Sequence, residues 1–125
     1  MIIKLPLLCR SKKNSQSILK NHKTGKYFIS QSELYKNFEK ECGLYLQPYK
    51  NLSIDVPINF KATFIVPDRR KRDLTNLLNA IQDVLVKYKV LEDDNYNIIN
   101  GLDGSRIIYD KGKSETIVEI TKMKK

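Results

Sequence analysis

Between Ile58 and Val66 the chain alternates without interruption. Ile58, Phe60, Ala62, Phe64 and Val66 fall on one face, and Asn59, Lys61, Thr63 and Ile65 on the other. A period of two held over nine residues describes a strand buried on one side only, and Pro67 ends it. Past a short basic run the period changes. Leu74, Leu77, Leu78, Ile81, Val84, Leu85 and Tyr88 recur at helical spacing, which predicts a helix over residues 73–88. Strand and helix each have one apolar face to hide, and packing the helix on a sheet hides both.

The remaining segments fit the same scheme. Ile2-Ile3-Lys4-Leu5-Pro6-Leu7-Leu8 is an apolar run that Pro6 restricts to an edge or end strand. Residues 10–27 are polar, with a turn at Thr24-Gly25; Ser15, Ile18 and Leu19 suggest a short strand, and Tyr27-Phe28-Ile29 its hairpin partner. Ser30-Gln31-Ser32-Glu33 reads as a capping box. It would open a helix of about three turns with Leu34, Tyr35, Phe38, Cys42 and Tyr45 on its apolar stripe. Gly43 weakens the end of that helix and Pro48 forbids its continuation. After Glu92-Asp93-Asp94, Tyr96-Asn97-Ile98-Ile99 and Arg106-Ile107-Ile108-Tyr109 flank Gly101 and Gly104, the pattern of a bulged or interrupted strand. A turn at Asp110-Lys111-Gly112-Lys113 leads to a last strand over residues 116–121. The expected fold is a single small α+β domain over residues 1–125, a mixed β-sheet with two main helices packed on it.

Composition narrows the function classes. At 41% apolar and 30% charged, the 125 residues are too hydrophobic for a disordered polyelectrolyte. No apolar run approaches the roughly 18 residues a membrane span needs, and the first residues lack a signal-peptide layout. Cys9, Cys42 and His22 make neither a disulfide framework nor a good zinc site. The expectation is a cytoplasmic protein without a membrane partner. Its formal charge of +9 is unevenly spread: residues 1–30 carry seven cations (Lys4, Arg10, Lys12, Lys13, Lys20, Lys23, Lys26) and no acid. A second block, Arg69-Arg70-Lys71-Arg72, stands between Asp68 and Asp73. Like charges so close repel one another, and a polyanion relieves that repulsion. Two such clusters favour nucleic acid over a merely solvated surface.

The acids are grouped as well. On a helical wheel Asp73, Asn76, Ala80, Asp83 and Lys87 form a stripe beside the apolar face, and Glu92-Asp93-Asp94 follows the helix. Asp73 alone suits the first turn of a helix, where a carboxylate complements the dipole. In company, these carboxylates are the oxygen ligands that Mg²⁺ takes, with water completing an octahedron. A Mg²⁺ among carboxylates beside a cationic strip can attack a phosphodiester: the strip holds the backbone while the metal activates water.

Val66-Pro67-Asp68-Arg69-Arg70-Lys71-Arg72-Asp73-Leu74-Thr75-Asn76-Leu77, followed by Asp83-Val84-Leu85 and Leu91-Glu92-Asp93-Asp94, resembles the RusA family of Holliday-junction resolvases. The family pattern is a strand ending in Pro-Asp, a basic run, Asp-Leu-Asp-Asn opening a helix, an Asp-x-Leu within it and an acidic pair after it. The match is good over residues 56–100 and looser at Lys12-Lys13-Asn14 and Gly25-Lys26. The resemblance implies a homodimeric, Mg²⁺-dependent endonuclease, with Mn²⁺ a possible substitute, that resolves four-way DNA junctions by paired symmetric nicks. Such enzymes are bacterial and often carried by phages. It assigns catalysis to Asp73 and to Asp94 with Asp93, and metal ligation to Asp73 and Asp94; Asp83, on the same flank as Asp73 and Asn76, joins both sets as the candidate compensating acid. DNA contact falls to Arg69, Arg70, Lys71 and Arg72 with Lys12, Lys13, Lys20, Lys23 and Lys26, and supporting roles to Asn76, Thr75 and Asn79. Thr75 stands where the pattern has a second aspartate, and Asn79 where it has a lysine. One carboxylate and one cation are thus missing, with Asp83 and then Glu92 the nearest compensating acids. A catalytically impaired branched-DNA-binding protein on the same scaffold is the alternative.

Overall fold

The structure, a computed structural model, describes residues 1–12, 16–20, 23–25, 27–31 and 33–123. Its elements in chain order are β1 (Ile2–Leu5), β2 (Gln16–Lys20), β3 (Tyr27–Gln31), α1 (Glu33–Tyr45), β4 (Ile58–Val66), α2 (Leu74–Lys87), β5 (Ile99–Gly101), β6 (Arg106–Tyr109) and β7 (Glu115–Lys122). The alternating segment is the long central strand β4. It pairs antiparallel with β7, which pairs antiparallel with β1 at the edge. Along its other side β4 is flanked in parallel first by β5 and then by β6. The register shifts between Ile58 and Asn59, so the interrupted strand expected around Gly101 and Gly104 is one sheet position filled in two pieces. The sheet is mixed and the fold α+β, as the periods implied.

Every even residue of β4 is buried, and α2 covers them with Leu77, Leu78, Ile81, Val84 and Leu85. From α1, Tyr35, Phe38 and Cys42 reach the same core. Burial pushes the Cys42 thiol up to about 12 and holds Cys9 well above its ordinary value, so both are inert core sulfurs. The opposite face of the sheet is not covered by either helix. It presents Ile2, Lys4, Lys61, Thr63, Ile65, Glu115, Ile117, Glu119, Arg106 and Ile108.

Several sequence expectations need correcting. Ser30 does not open α1: it lies in β3 opposite Ser17, and the helix begins at Glu33. Strand pairing across the β2–β3 hairpin claims the backbone that a capping box would have used. Leu34 and Tyr45, assigned to the apolar stripe of α1, are 55% and 46% exposed. Ala80, placed on the polar flank of α2, is buried, because the segment after β1 lies against that flank. Its Cys9 Sγ donates to the Leu77 carbonyl at 3.7 Å.

Gly43 does more than weaken a helix end. A Cβ there would lie 2.6 Å from the ring of Tyr88, whose hydroxyl donates to the Glu39 carbonyl at 3.0 Å. α1 and α2 therefore meet at a point where only glycine fits, beside the Lys87–Glu39 ion pair. Gly43→Ala is expected to destabilise the protein by about 1–2 kcal/mol, overpacking outweighing the better helix propensity of alanine. Urea unfolding checks this, and a more stable variant would show that Tyr88 yields freely.

Candidate nucleic-acid and metal site

Asp73 is the N-cap of α2, with extended backbone (φ −105°, ψ 117°). Its Oδ1 accepts from the amides of Thr75 at 2.9 Å and Asn76 at 3.3 Å. Both bonds end on one oxygen, so Oδ2 takes no part in the cap. Thr75 and Asn79 are exposed on the first turns, and Asn76 is half-buried.

The four cations before Asp73 are not equivalent. Arg72 is only 14% exposed and its Nη1 donates to Asp68 Oδ1 at 2.9 Å and to the carbonyls of Asp68 and Arg70 at 3.3 Å. It fixes the turn. The Arg72 bond, then the Arg70 amide at 3.1 Å, hold the Asp68 carboxyl below the usual aspartate range. Arg69 stacks over the Tyr109 ring at 4.7 Å, an arrangement that keeps its charge while orienting it. Arg70 and Lys71 project into solvent. A tetrad that looks uniform in sequence thus divides into one structural arginine, one braced arginine and two exposed cations.

Asp83 lies towards the other end of α2, ten residues on and therefore about 15 Å along the axis from Asp73. Lys12 Nζ reaches Asp83 Oδ2 at 3.1 Å and lies 5.5 Å from the centre of the Tyr35 ring. Asp94 shares this end. Partial desolvation, its hydrogen bond with Asp93 and the charge of Asp83 raise its pKa. Asp93 moves the opposite way, lowered by the Asp94 amide at 2.7 Å and the Asn95 side chain at 3.1 Å. The acidic pair is thereby split into a stabilised anion and a crowded one. Glu92 is exposed beside them.

The expected residues therefore form two groups and not one. Asp73 stands with the basic turn at one end of α2, while Asp83, Asp93 and Asp94 stand with Lys12 at the other. Among the described residues, no set of three His, Cys, Asp or Glu side chains is close enough to hold a metal ion. Mg²⁺ does not need such a cage, since one or two carboxylates with phosphate oxygens and water suffice. Asp83 with Asp94 offers two oxygen-bearing groups in a place where negative charge is crowded, and Asp73 Oδ2 offers one more at the basic end. The residues present fit that mode of binding.

Of the N-terminal cations, Lys12 is placed as above and Lys23 lies in the exposed hairpin turn. Lys20 belongs to β2, while Lys13, Lys26 and His22 lie outside the described residues. Sequence reasoning passed over Arg10, which the fold carries to Arg70, Lys71 and Arg72. Its only signal was membership of the acid-free first thirty residues. No helix among the described residues is long and apolar enough to cross a membrane.

Fold and site together define a small basic α+β domain that sets carboxylates beside a cationic turn. Comparison with known proteins makes this specific. The endodeoxyribonuclease RusA family model matches residues 11–121, and the chain belongs to that family. It is also 36% identical over 74 residues to the crossover junction endodeoxyribonuclease RusA of Aquifex aeolicus (strain VF5), a match covering 59% of this chain and 56% of that protein. The similarity thus spans little more than half of the relative's length.

Proposed function

We propose that the protein is a Mg²⁺-dependent endonuclease that resolves four-way DNA junctions by paired symmetric nicks as a homodimer. One observation carries this reading: in a chain of the RusA family, Asp73 caps α2 directly behind an exposed cationic turn. Arg70 and Lys71 bind the phosphate backbone, with Arg69 held ready by Tyr109. Arg72 and Asp68 keep the turn in shape. Asp73 at one end of α2, or Asp83 with Asp94 at the other, are the carboxylates that would hold a Mg²⁺ ion. When bound, such an ion would supply a water of lowered pKa and offset charge on the phosphate. Lys12, paired with Asp83, offsets part of the negative charge at that end. Incubation with a labelled four-way junction and Mg²⁺ should give symmetric nicks, and intact junctions would sink the proposal.

A second reading is a protein that binds branched DNA without cutting it. Thr75 and Asn79, where the family pattern has an aspartate and a lysine, favour it. It predicts salt-sensitive junction binding with no Mg²⁺-dependent cleavage.

The sheet face that neither helix covers suits the second copy. A two-fold substrate calls for a two-fold enzyme, and two chains of charge +9 repel one another over most of their surface. On this face Lys4, Lys61 and Arg106 are nearly balanced by Glu115 and Glu119, around Ile2, Ile65, Ile108 and Ile117. Two copies face to face can bury the isoleucines while opposing lysine to glutamate. Ile117→Glu is expected to convert a dimer to a monomer in sedimentation equilibrium without unfolding it. A wild-type chain that is monomeric, or a variant that stays dimeric, would refute this interface.

A further inference from the structure

The chain after β1 turns Arg10 and Ser11 towards the basic turn. With Arg70, Lys71, Arg72, Leu34 of α1 and Leu77 of α2 they enclose a cleft of about 300 Å³, the low end of the range for small-ligand sites. Among the described residues no acid lines it, and Arg72, the cation Asp68 holds most closely, is already engaged. Arg10 and Lys71 remain as an excess of positive charge, which calls for an anion. The cleft's apolar exposed residue is Leu34, which is 55% exposed and also borders a neighbouring cleft with Leu7, Leu8 and Phe38, whereas Leu77 is buried.

Neither half of this chemistry explains the other. A bare phosphate would use the arginines and leave Leu34 in water. A stacked duplex presents its phosphates on a convex rod, which meets flat or protruding cations more readily than a cleft. A nucleotide that has left the stack presents a phosphate and an apolar sugar edge together. Such nucleotides are cheapest to obtain where pairing is already broken, which in branched DNA is the branch point.

We infer that this cleft is a subsite for one unstacked nucleotide at the branch point, with Arg10 holding its phosphate and Leu34 packing against its deoxyribose. The inference rests on the branched-DNA reading above and adds a site and two residues to it. Arg10 contributes charge, and Leu34 contributes the preference for branched over continuous DNA.

Anisotropy titrations of the full chain, without Mg²⁺ so that nothing is cut, test it on a four-way junction and on a duplex of the same sequence. Arg10→Ala is expected to weaken junction binding roughly tenfold and to reduce the slope of log K against log salt by about one. Arg10→Lys should recover most of the slope. Leu34→Ser should weaken the junction complex about threefold, a small apolar contact, and leave duplex affinity and both salt slopes unchanged. Because Leu34 is exposed, its replacement does not threaten the fold, and circular dichroism of each variant confirms this. An unchanged slope in Arg10→Ala, or equal losses on junction and duplex in Leu34→Ser, overturns the subsite. A wild-type chain that does not prefer the junction overturns the proposed function itself, whichever way the variants behave.

Discussion

Asp73→Asn is expected to lower junction cutting on the order of 100-fold or more while leaving junction binding at or above the wild-type level. The substitution separates two roles of one side chain. As an N-cap, asparagine is about as good as aspartate, and its side-chain oxygen can still accept from the Thr75 and Asn76 amides that Asp73 Oδ1 now satisfies. The helix should therefore start where it does and the basic turn should keep its shape. What disappears is a negative charge directly behind Arg69, Arg70, Lys71 and Arg72. On the proposed function its loss removes a metal ligand and eases the approach of phosphate. Rates on a labelled junction, measured beside its binding constant, read the two effects separately. Asp73→Ala is the useful contrast, for it should lose cutting and also about 1 kcal/mol of stability through the missing cap. Wild-type cutting by Asp73→Asn would remove Asp73 from the site.

Phe60→Ala is expected to destabilise the protein by about 3–5 kcal/mol. Phe60 is fully buried in the middle of β4, paired in register with Ile120 of β7 and covered by the helices. Truncation removes the transfer energy of a ring and leaves a void that a central strand, held on both sides, cannot collapse to fill. Domain stabilities are about 5–15 kcal/mol, so the loss should be conspicuous in urea or thermal unfolding. Thr63→Ala, on the uncovered face of the same strand, should stay within about 1 kcal/mol. A similar small loss in Phe60→Ala would mean that the β4–α2 layer is not the core.

Much of the fold was legible because the signals were periodic. Residues 58–66 and 73–88 each hold one spacing long enough to name the element and its buried face, and the structure agrees to within a residue or two. Gly101 and Gly104 marked an interruption that became β5 and β6. Failures came where a segment had two possible uses. Ser30 could cap a helix or extend a hairpin, and pairing with Ser17 decided it. Leu34 and Tyr45 are apolar and correctly spaced, yet the short helix turns them outward because Tyr35, Phe38 and Cys42 already occupy the core face.

The site divides in the same way. The order of acids and bases, the family resemblance and the placing of Asp73 at the head of a helix are properties of neighbours along the chain, and the sequence by itself determined them. So was the uneven +9 charge, with most of its excess in the first thirty residues. Tertiary structure alone decided which of these residues meet. It brought Asp94 beside Asp83, whose separation from Asp73 the helical rise of about 1.5 Å per residue already fixes. It turned Arg72 inward onto Asp68, and it brought Arg10 across some sixty residues of chain to the cationic turn. Contacts between distant segments depend on how apolar faces stack in three dimensions, and one-dimensional spacing carries no record of that.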